Sequence, residues 1–387
     1  MGYQVGNFSQ GQSRTEVSKQ WLARPADQKF LSLDALRASV DARRERAVEK
    51  TVDVRKVEFL APEARKIEDT HIMALGLPDG SVTSPTHWSF GQLAALAKAP
   101  AGYLRTLPSQ IAADALTYGM RINRTSDSAK LYTADQSLLA ATGPEYGRIF
   151  DAEVVEAVQQ VAGNGTGDTR WKVPGVLDWR TMNYNPDAPI TEDTTTLFAS
   201  DRDVFMFLVD DRNPIEVGKL PSGDPDLMFR GFYITNSEVG RSSLKLAAFY
   251  LRAVCCNRIM WGVERFEEIT MRHSKLAPSR FMEQARPALR SFAEGSAARL
   301  IEGVEKAKAA KLASDEEGMM DFLAGRGLSR KRTLEVLEAV EREEGRPART
   351  VWDVAQGLTA VARAIPNQDD RVDLETEARK LLDKVAA

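Results

Sequence analysis

Between residues 31 and 50, Leu33, Leu36, Val40 and Ala47 fall near one face of a helical period, with many Arg and Glu residues opposite. That spacing predicts an amphipathic helix with a solvated charged side. From residue 51 to 60 the period shortens to alternation, through Val52, Val54, Val57 and Phe59, and predicts a half-buried strand. Residues 71–77 predict a second strand, ended by Pro78-Asp79-Gly80, whose residues favour a turn. Ser89 is placed to cap a helix carrying Phe90, Leu93 and Leu96, and Ser109 a second carrying Ile111, Ala115, Leu116 and Met120. The loop between them, Tyr103-Leu104-Arg105-Thr106-Leu107-Pro108, is expected to pack its ring and leucines as a core plug. Residues 129–132 and 137–141 are expected to pair, and Asp151 to cap a helix through Val154, Val155 and Val158.

Residues 161–168 break the pattern, with glycines in neither a P-loop nor a dinucleotide-binding context. Strands are expected over residues 195–200 and 203–209, followed by turns at 210–214 and 221–225. The run 244–256 is apolar enough to fit either a strand or a helical period. After His273 the spacing of Phe281, Ala285, Leu289, Phe292, Leu300, Ile301 and Val304 is helical, with Pro287 expected to kink the helix or start a new one. Trp352, Val354, Leu358 and Val361 mark one later apolar face, and Leu374, Ala378 and Leu381 another. The reading is an α+β fold with a central twisted antiparallel sheet, flanking helices and a helical C-terminal region. Its expected parts are an arm and helix over 1–50, a core over 51–312 and a helical domain over 313–387.

Composition narrows the chemistry. The chain is 43% hydrophobic and 28% charged, as soluble proteins are, and it has no apolar run near the roughly 18 residues that span a bilayer. Its first residues lack the apolar core of a signal peptide, so a cytoplasmic protein without a membrane partner is expected. The two cysteines, Cys255 and Cys256, are adjacent and make neither a disulfide framework nor a zinc cluster. With three histidines, His71, His87 and His273, a His-rich metal site is not expected, and no cofactor is either; a carboxylate metal site stays open. The pairs Asp210-Asp211 and Glu267-Glu268 are adjacent rather than spaced as ligands, and Asp201 with Asp203 fits a strand face or a turn. No Ser-His-Asp or Cys-His arrangement has local support, so no catalytic residue is assigned.

Charge supplies the sharper signal. The whole chain is slightly acidic, at −3, yet between Arg241 and Arg290 ten Lys/Arg face four acids. Arg241, Lys245, Arg252, Arg258, Arg265, Arg272, Lys275 and Arg280 are candidates for a groove that follows a phosphate backbone, with Tyr250 and Trp261 offering faces for base stacking. The competing reading makes the cations solvated or internally paired, with Glu264, Glu267 and Glu268 as partners and the aromatics in a core. On a strand, Lys245 and Arg252 point to opposite faces; on a helix they share one. His273 either bonds a phosphate or organises a turn. Asn236 and Ser237 fit a turn that bonds its own backbone. Gly231 and Gly240 bracket this stretch, where glycine allows a turn or a close approach.

Several short blocks carry a resemblance. Asn236-Ser237, Gly240, Ser243-Leu244, Arg252-Ala253-Val254-Cys255, Asn257 and Arg272-His273-Ser274, with Tyr103-Leu104-Arg105, Leu107-Pro108, Tyr146-Gly147-Arg148 and Trp352-Asp353, resemble the phage/plasmid-like family. Its members share the domain of unknown function numbered nine-three-two and occur on phages and mobile elements. Arg258 stands where they tend to carry a smaller residue. The pattern is similar in kind to phage single-strand annealing proteins, which set a twisted antiparallel sheet against a helix and assemble into rings or filaments. The resemblance implies a protein that binds and anneals single-stranded DNA in recombination. A homo-oligomer is expected, with a ring as one form, because open sheet edges and a helix bearing Phe281, Leu289 and Phe292 leave surface to cover. The alternatives are a phage structural or host-interaction protein without DNA affinity, and a metal-dependent nuclease.

Overall fold

The computed structural model describes residues 6–7, 24–61, 72–122, 127–174, 189–220, 223–252, 258–259, 269–363, 365 and 368–386. Fourteen strands and eleven α-helices are found among these residues, and the strands form two sheets. The α+β class and the helical C-terminal region are as expected; the strands are divided where one central sheet was expected.

The first sheet is built from β1 (Gly6–Asn7), β3 (Ala47–Asp53), β4 (Glu58–Leu60), β5 (Ile72–Gly76), β6 (Val82–Pro85), β7 (Ser128–Ala134) and β8 (Ser137–Thr142). Its order is β1-β5-β6-β8-β7-β3, with β4 on β5, and only the β6–β8 pairing is parallel. The hairpin expected at residues 129–141 is the β7–β8 pair. Helix α1 (Leu33–Arg46) is the amphipathic helix predicted first; Ser32 caps it by accepting from the Ala35 N–H at 3.1 Å. Helix α2 (His87–Leu96) is capped by Thr86 rather than Ser89, which closes the reciprocal capping box from three residues inside. A single turn, α3 (Ala101–Leu104), leads to α4 (Ser109–Ile122). Here the core-plug expectation fails in part. Leu104 is buried, but the Tyr103 ring is 61% exposed, because the short helix turns it outward. Phe90, Leu93, Leu116 and Met120 pack on Val52, Phe59, Leu75 and Leu131 and bury one face of this sheet.

After α5 (Asp151–Ala162) the second sheet runs β13-β12-β11-β10-β9-β2, with β14 on β12, and every pairing is antiparallel. Its strands are β2 (Lys29–Phe30), β9 (Leu197–Ala199), β10 (Val204–Lys219), β11 (Pro225–Asn236), β12 (Leu244–Arg252), β13 (Arg258–Ile259) and β14 (Ile269–Met271). The ambiguous run after residue 244 is thus a strand, at least through Arg252. The turn expected at 210–214 is instead a bulge inside β10. The register slips between Asp210 and Ile215, where Asn213 donates to the Asp210 carboxylate at 2.9 Å and Pro214 has no N–H for the ladder. One sheet face stacks Phe198, Phe205, Phe207, Tyr233 and Phe249, with Phe207 and Phe249 ring centroids 4.5 Å apart.

The other face carries the main core. Leu36 and Val40 of α1, Val154 and Val158 of α5, and the C-terminal helices all join Phe232, Ile234, Leu244 and Leu246 in one cluster. These helices are α6 (Ala277–Glu294), α7 (Ala298–Ala309), α8 (Glu316–Ala324), α9 (Arg330–Glu344), α10 (Val351–Arg363) and α11 (Gln368–Ala386). Pro287 does not end α6: it and Glu283, the residue one turn before it, lie on the solvent side, where the freed carbonyl can meet water. Phe281, Leu289 and Phe292 are buried in this cluster, so the helix face, one of the two surfaces expected to drive assembly, is already covered within the chain. Met319, Val336, Trp352, Leu358 and Leu382 share it, so the helical tail completes the core of the sheet. No helix among the described residues is long and apolar enough to cross a membrane.

Candidate nucleic-acid interface

The candidate cations are separated by the fold into those facing carboxylates inside and those facing water. Arg252 ends β12 opposite Met228 of β11 and is 3% exposed. Its guanidinium forks onto Asp226, with Nε 2.7 Å and Nη2 3.0 Å from the two carboxylate oxygens, and also pairs with Glu344 of α9. Lys308 of α7 reaches the same Asp226 at 3.0 Å. Burial pushes the Asp226 carboxyl up, but the Arg252 fork and Lys308 outweigh it and hold it below the usual range. Arg252 is therefore a strut between sheet and helices, and cannot follow a phosphate backbone. Arg241 is likewise turned inward, 2.9 Å from the buried Asp203, which Arg24 also grips through two bonds. Tyr250 is 3% exposed and packs edge-on to Phe292, at 5.8 Å between centroids, so it has no face for a base.

His273 belongs to a joint between the two halves. Its ring stacks on Tyr146 at 5.0 Å, its Nδ1 accepts the Ile149 N–H at 3.4 Å, and its carbonyl accepts the Gly147 N–H at 3.2 Å. Burial, with the charge of Arg148 nearby, holds its pKa down at about 4. A neutral imidazole is not a phosphate-binding cation at pH 7; the turn-organising role is the one the geometry supports.

Behind it lies a set of buried polar groups to which sequence reasoning gave other roles, as for Asp151 and Asn236, or none, as for Arg43 and Glu238; the Asn236 side chain bonds Ile149 and Asp151 in place of its own turn. Glu238 accepts the Asp151 N–H at 3.0 Å and lies 3.0 Å from Arg43 Nε, while Arg43 Nη2 donates to Asp151 at 2.7 Å. Asn236 donates to Asp151 at 2.7 Å and to the Ile149 carbonyl at 2.9 Å. Arg148 donates to Glu49 at 2.7 Å and to the Glu238 carbonyl, and lies over the Tyr132 ring. Burial and the facing Glu238 push the Asp151 carboxyl well above the usual range. Asp151 was expected to cap α5; it is the first residue of that helix, turned into this joint. The available signal was the set of short blocks around Tyr146, Asn236 and Arg272, which meet here: Tyr146 bridges to Ser274, and its hydroxyl donates to the Ser237 carbonyl at 3.3 Å. Gly240, at φ 81°, makes the turn between β11 and β12, and Gly231 lies directly under the Phe249 ring.

The outward cations gather beyond β14. Arg272, Lys275 and Arg280 are exposed; Arg272 and Arg280 line an open cleft of about 390 Å³ together with Ile269, Thr270, Met271, Ser274, Ala277 and Gln284, and Lys275 follows Ser274 in the chain. Lys245, half-buried, sits opposite Thr270 in the ladder, so its side chain leaves the sheet on the same face as Thr270. Arg258 has its backbone in β13. The Arg258 side chain, Arg265, Trp261, Cys255 and Cys256 lie outside the described residues. Among the described residues no group of three or more His, Cys, Asp or Glu is arranged to hold a metal ion.

Both the cation edge and the Arg252 strut lie in a stretch with a recognisable family pattern. Residues 190–365 match the model of the family described as Domain of unknown function (DUF932). The match covers β9 to α10, and so takes in the second sheet apart from β2 and most of the helices that pack on it. The first sheet, Tyr146, Arg148 and Asp151 lie outside the match. No curated protein and no solved structure matches the chain.

Proposed function

We propose that the chain binds single-stranded DNA through the edge formed by Arg272, Lys275 and Arg280, and anneals strands in recombination of the phage or plasmid type, inside the host cell. The observation that carries this reading is the gathering of two exposed cations, Arg272 and Arg280, on one open cleft of an otherwise acidic chain, with the exposed Lys275 next to Ser274 of its lining. Each cation that neutralises a phosphate releases a counterion, so such an edge binds a backbone without regard to sequence and weakens as salt rises. Lys245 adds a fourth positive group on the strand beside it. With Tyr250 buried, the contact is chiefly electrostatic, and weak sites of this kind serve annealing best when several are held together.

Titration of a labelled single-stranded oligonucleotide at low and moderate salt tests this. Wild-type protein should bind at low salt and release as salt increases. The triple variant Arg272→Ala/Lys275→Ala/Arg280→Ala should lose most of that affinity, and its salt slope should fall by about 2, at ~0.7 per lost contact. A folded triple variant with unchanged affinity and slope would sink the assignment. Strand cleavage on adding magnesium or manganese would favour a nuclease, and no binding at low salt a structural or host-interaction protein.

A further inference from the structure

The apolar face of α6 expected to drive assembly is buried, but α4 presents another. Its inner side is complete: Ala112, Ala113, Leu116, Gly119 and Met120 are buried against the first sheet and α2. Its outer side carries Ile111, Tyr118 and Ile122, which are 53%, 66% and 56% exposed, with the half-buried Ala115 between them. These four residues are spaced 4, 3 and 4 apart, the interval of a seam between two packed helices. A contiguous apolar row left in water marks a contact surface more than single exposed side chains such as Leu31 or Leu334 do.

We infer that α4 is a homodimer interface, packing antiparallel on the α4 of a second copy about a two-fold axis. The residues select both the partner and the direction. In an antiparallel pair Ile111 meets Ile122 of the second copy, and Ala115 meets Tyr118, so each large ring sits over the smallest residue of the seam. Asp114 and Arg121, both exposed, lie one heptad apart on the same flank of the seam. In antiparallel coils residues of that flank face each other, so Asp114 of each copy meets Arg121 of the other. A parallel pair would oppose Tyr118 to Tyr118 and set Asp114 against Gly119 of the second copy, leaving the charge without a partner. The surface is therefore complementary to itself in the inverted arrangement, and a two-fold axis supplies that arrangement. The helix is about 21 Å long at 1.5 Å per residue, which gives a contact at the small end of specific interfaces. This interface lies outside the cation edge and does not depend on nucleic acid.

Sedimentation velocity on nucleic-acid-free protein across a micromolar concentration series tests it. The wild-type chain should pass from monomer to dimer. Tyr118→Glu should stay monomeric, with an unchanged far-UV circular dichroism spectrum, since the position is exposed. Asp114→Arg and Arg121→Asp should each weaken the dimer about fivefold to tenfold, because each reverses two symmetric contacts. The double variant Asp114→Arg/Arg121→Asp should recover it, a result that neither a parallel pair nor an unrelated interface would give. A strict monomer at the highest concentration, an assembly that survives Tyr118→Glu, or a double variant no better than the singles would overturn the inference. If Tyr118→Glu misfolds, the charge-exchange series decides alone.

Discussion

Arg252 and Arg272 are the same residue type within one cationic stretch, and the fold gives them opposite work. Arg252 is buried against Asp226 and Glu344 between sheet and helices, while Arg272 follows a short strand and is exposed. The difference lies in what stands opposite. A buried arginine without its carboxylate would be a large electrostatic cost, so its place is fixed by the pair, whereas an exposed one contributes little to stability and remains free for an outside anion.

Breaking the inner pair should have the largest effect. Arg252→Ala leaves Asp226 buried with only Lys308, and a loss of about 3–5 kcal/mol in chemical denaturation is expected. A loss under about 1 kcal/mol, typical of exposed pairs, would show that Arg252 is not the strut described. His273 sharpens the contrast through pH. Its folded pKa of about 4 lies below the ordinary 6.5, so the unfolded chain takes up a proton first as pH falls. The stability associated with neutral His273 is then lost between pH 6.5 and 4, by up to about 3 kcal/mol. His273→Phe keeps a ring on Tyr146 but does not titrate, so its stability should fall less over that window. Asp151 acts in the opposite sense, because its raised pKa favours the fold at low pH, and it is common to both proteins. If wild type and variant lose stability in parallel from pH 6.5 to 4, His273 is not buried as described.

Gly147 tests the joint without touching charge. A Cβ there would overlap the Ser274 carbonyl oxygen, so Gly147→Ala should cost about 1–3 kcal/mol through overpacking, read as a lowered denaturation midpoint. The smallest effect is expected at the cation edge. Arg272→Ala, Lys275→Ala and Arg280→Ala should each change stability by less than about 0.5 kcal/mol, although together they should abolish most DNA binding. A stability loss there as large as that of Arg252→Ala would mean these cations are structural as well, and the comparison would collapse.

The sequence by itself determined the elements that depend on near neighbours. Leu33, Leu36 and Val40 on one helical face made α1 legible, the alternation around residues 129–141 predicted the β7–β8 hairpin, and the Gly-rich break after Ala162 ended α5. It also concentrated ten cations between residues 241 and 290, and with them the candidate edge. Tertiary structure alone decided which cations were available. The run from Leu244 fitted two periods, and pairing with β11 on one side and β14 on the other made it a strand, which put Arg252 beside Asp226 and Lys245 opposite Thr270. The joint of Arg43, Asp151 and Glu238 draws its members from positions up to 195 residues apart, and the turn expected at residues 210–214 became a bulge because β11 continues alongside. Periodicity reports how a segment meets water on its two faces, whereas the worth of a charge is set by the group across from it, and that group arrives from elsewhere in the chain.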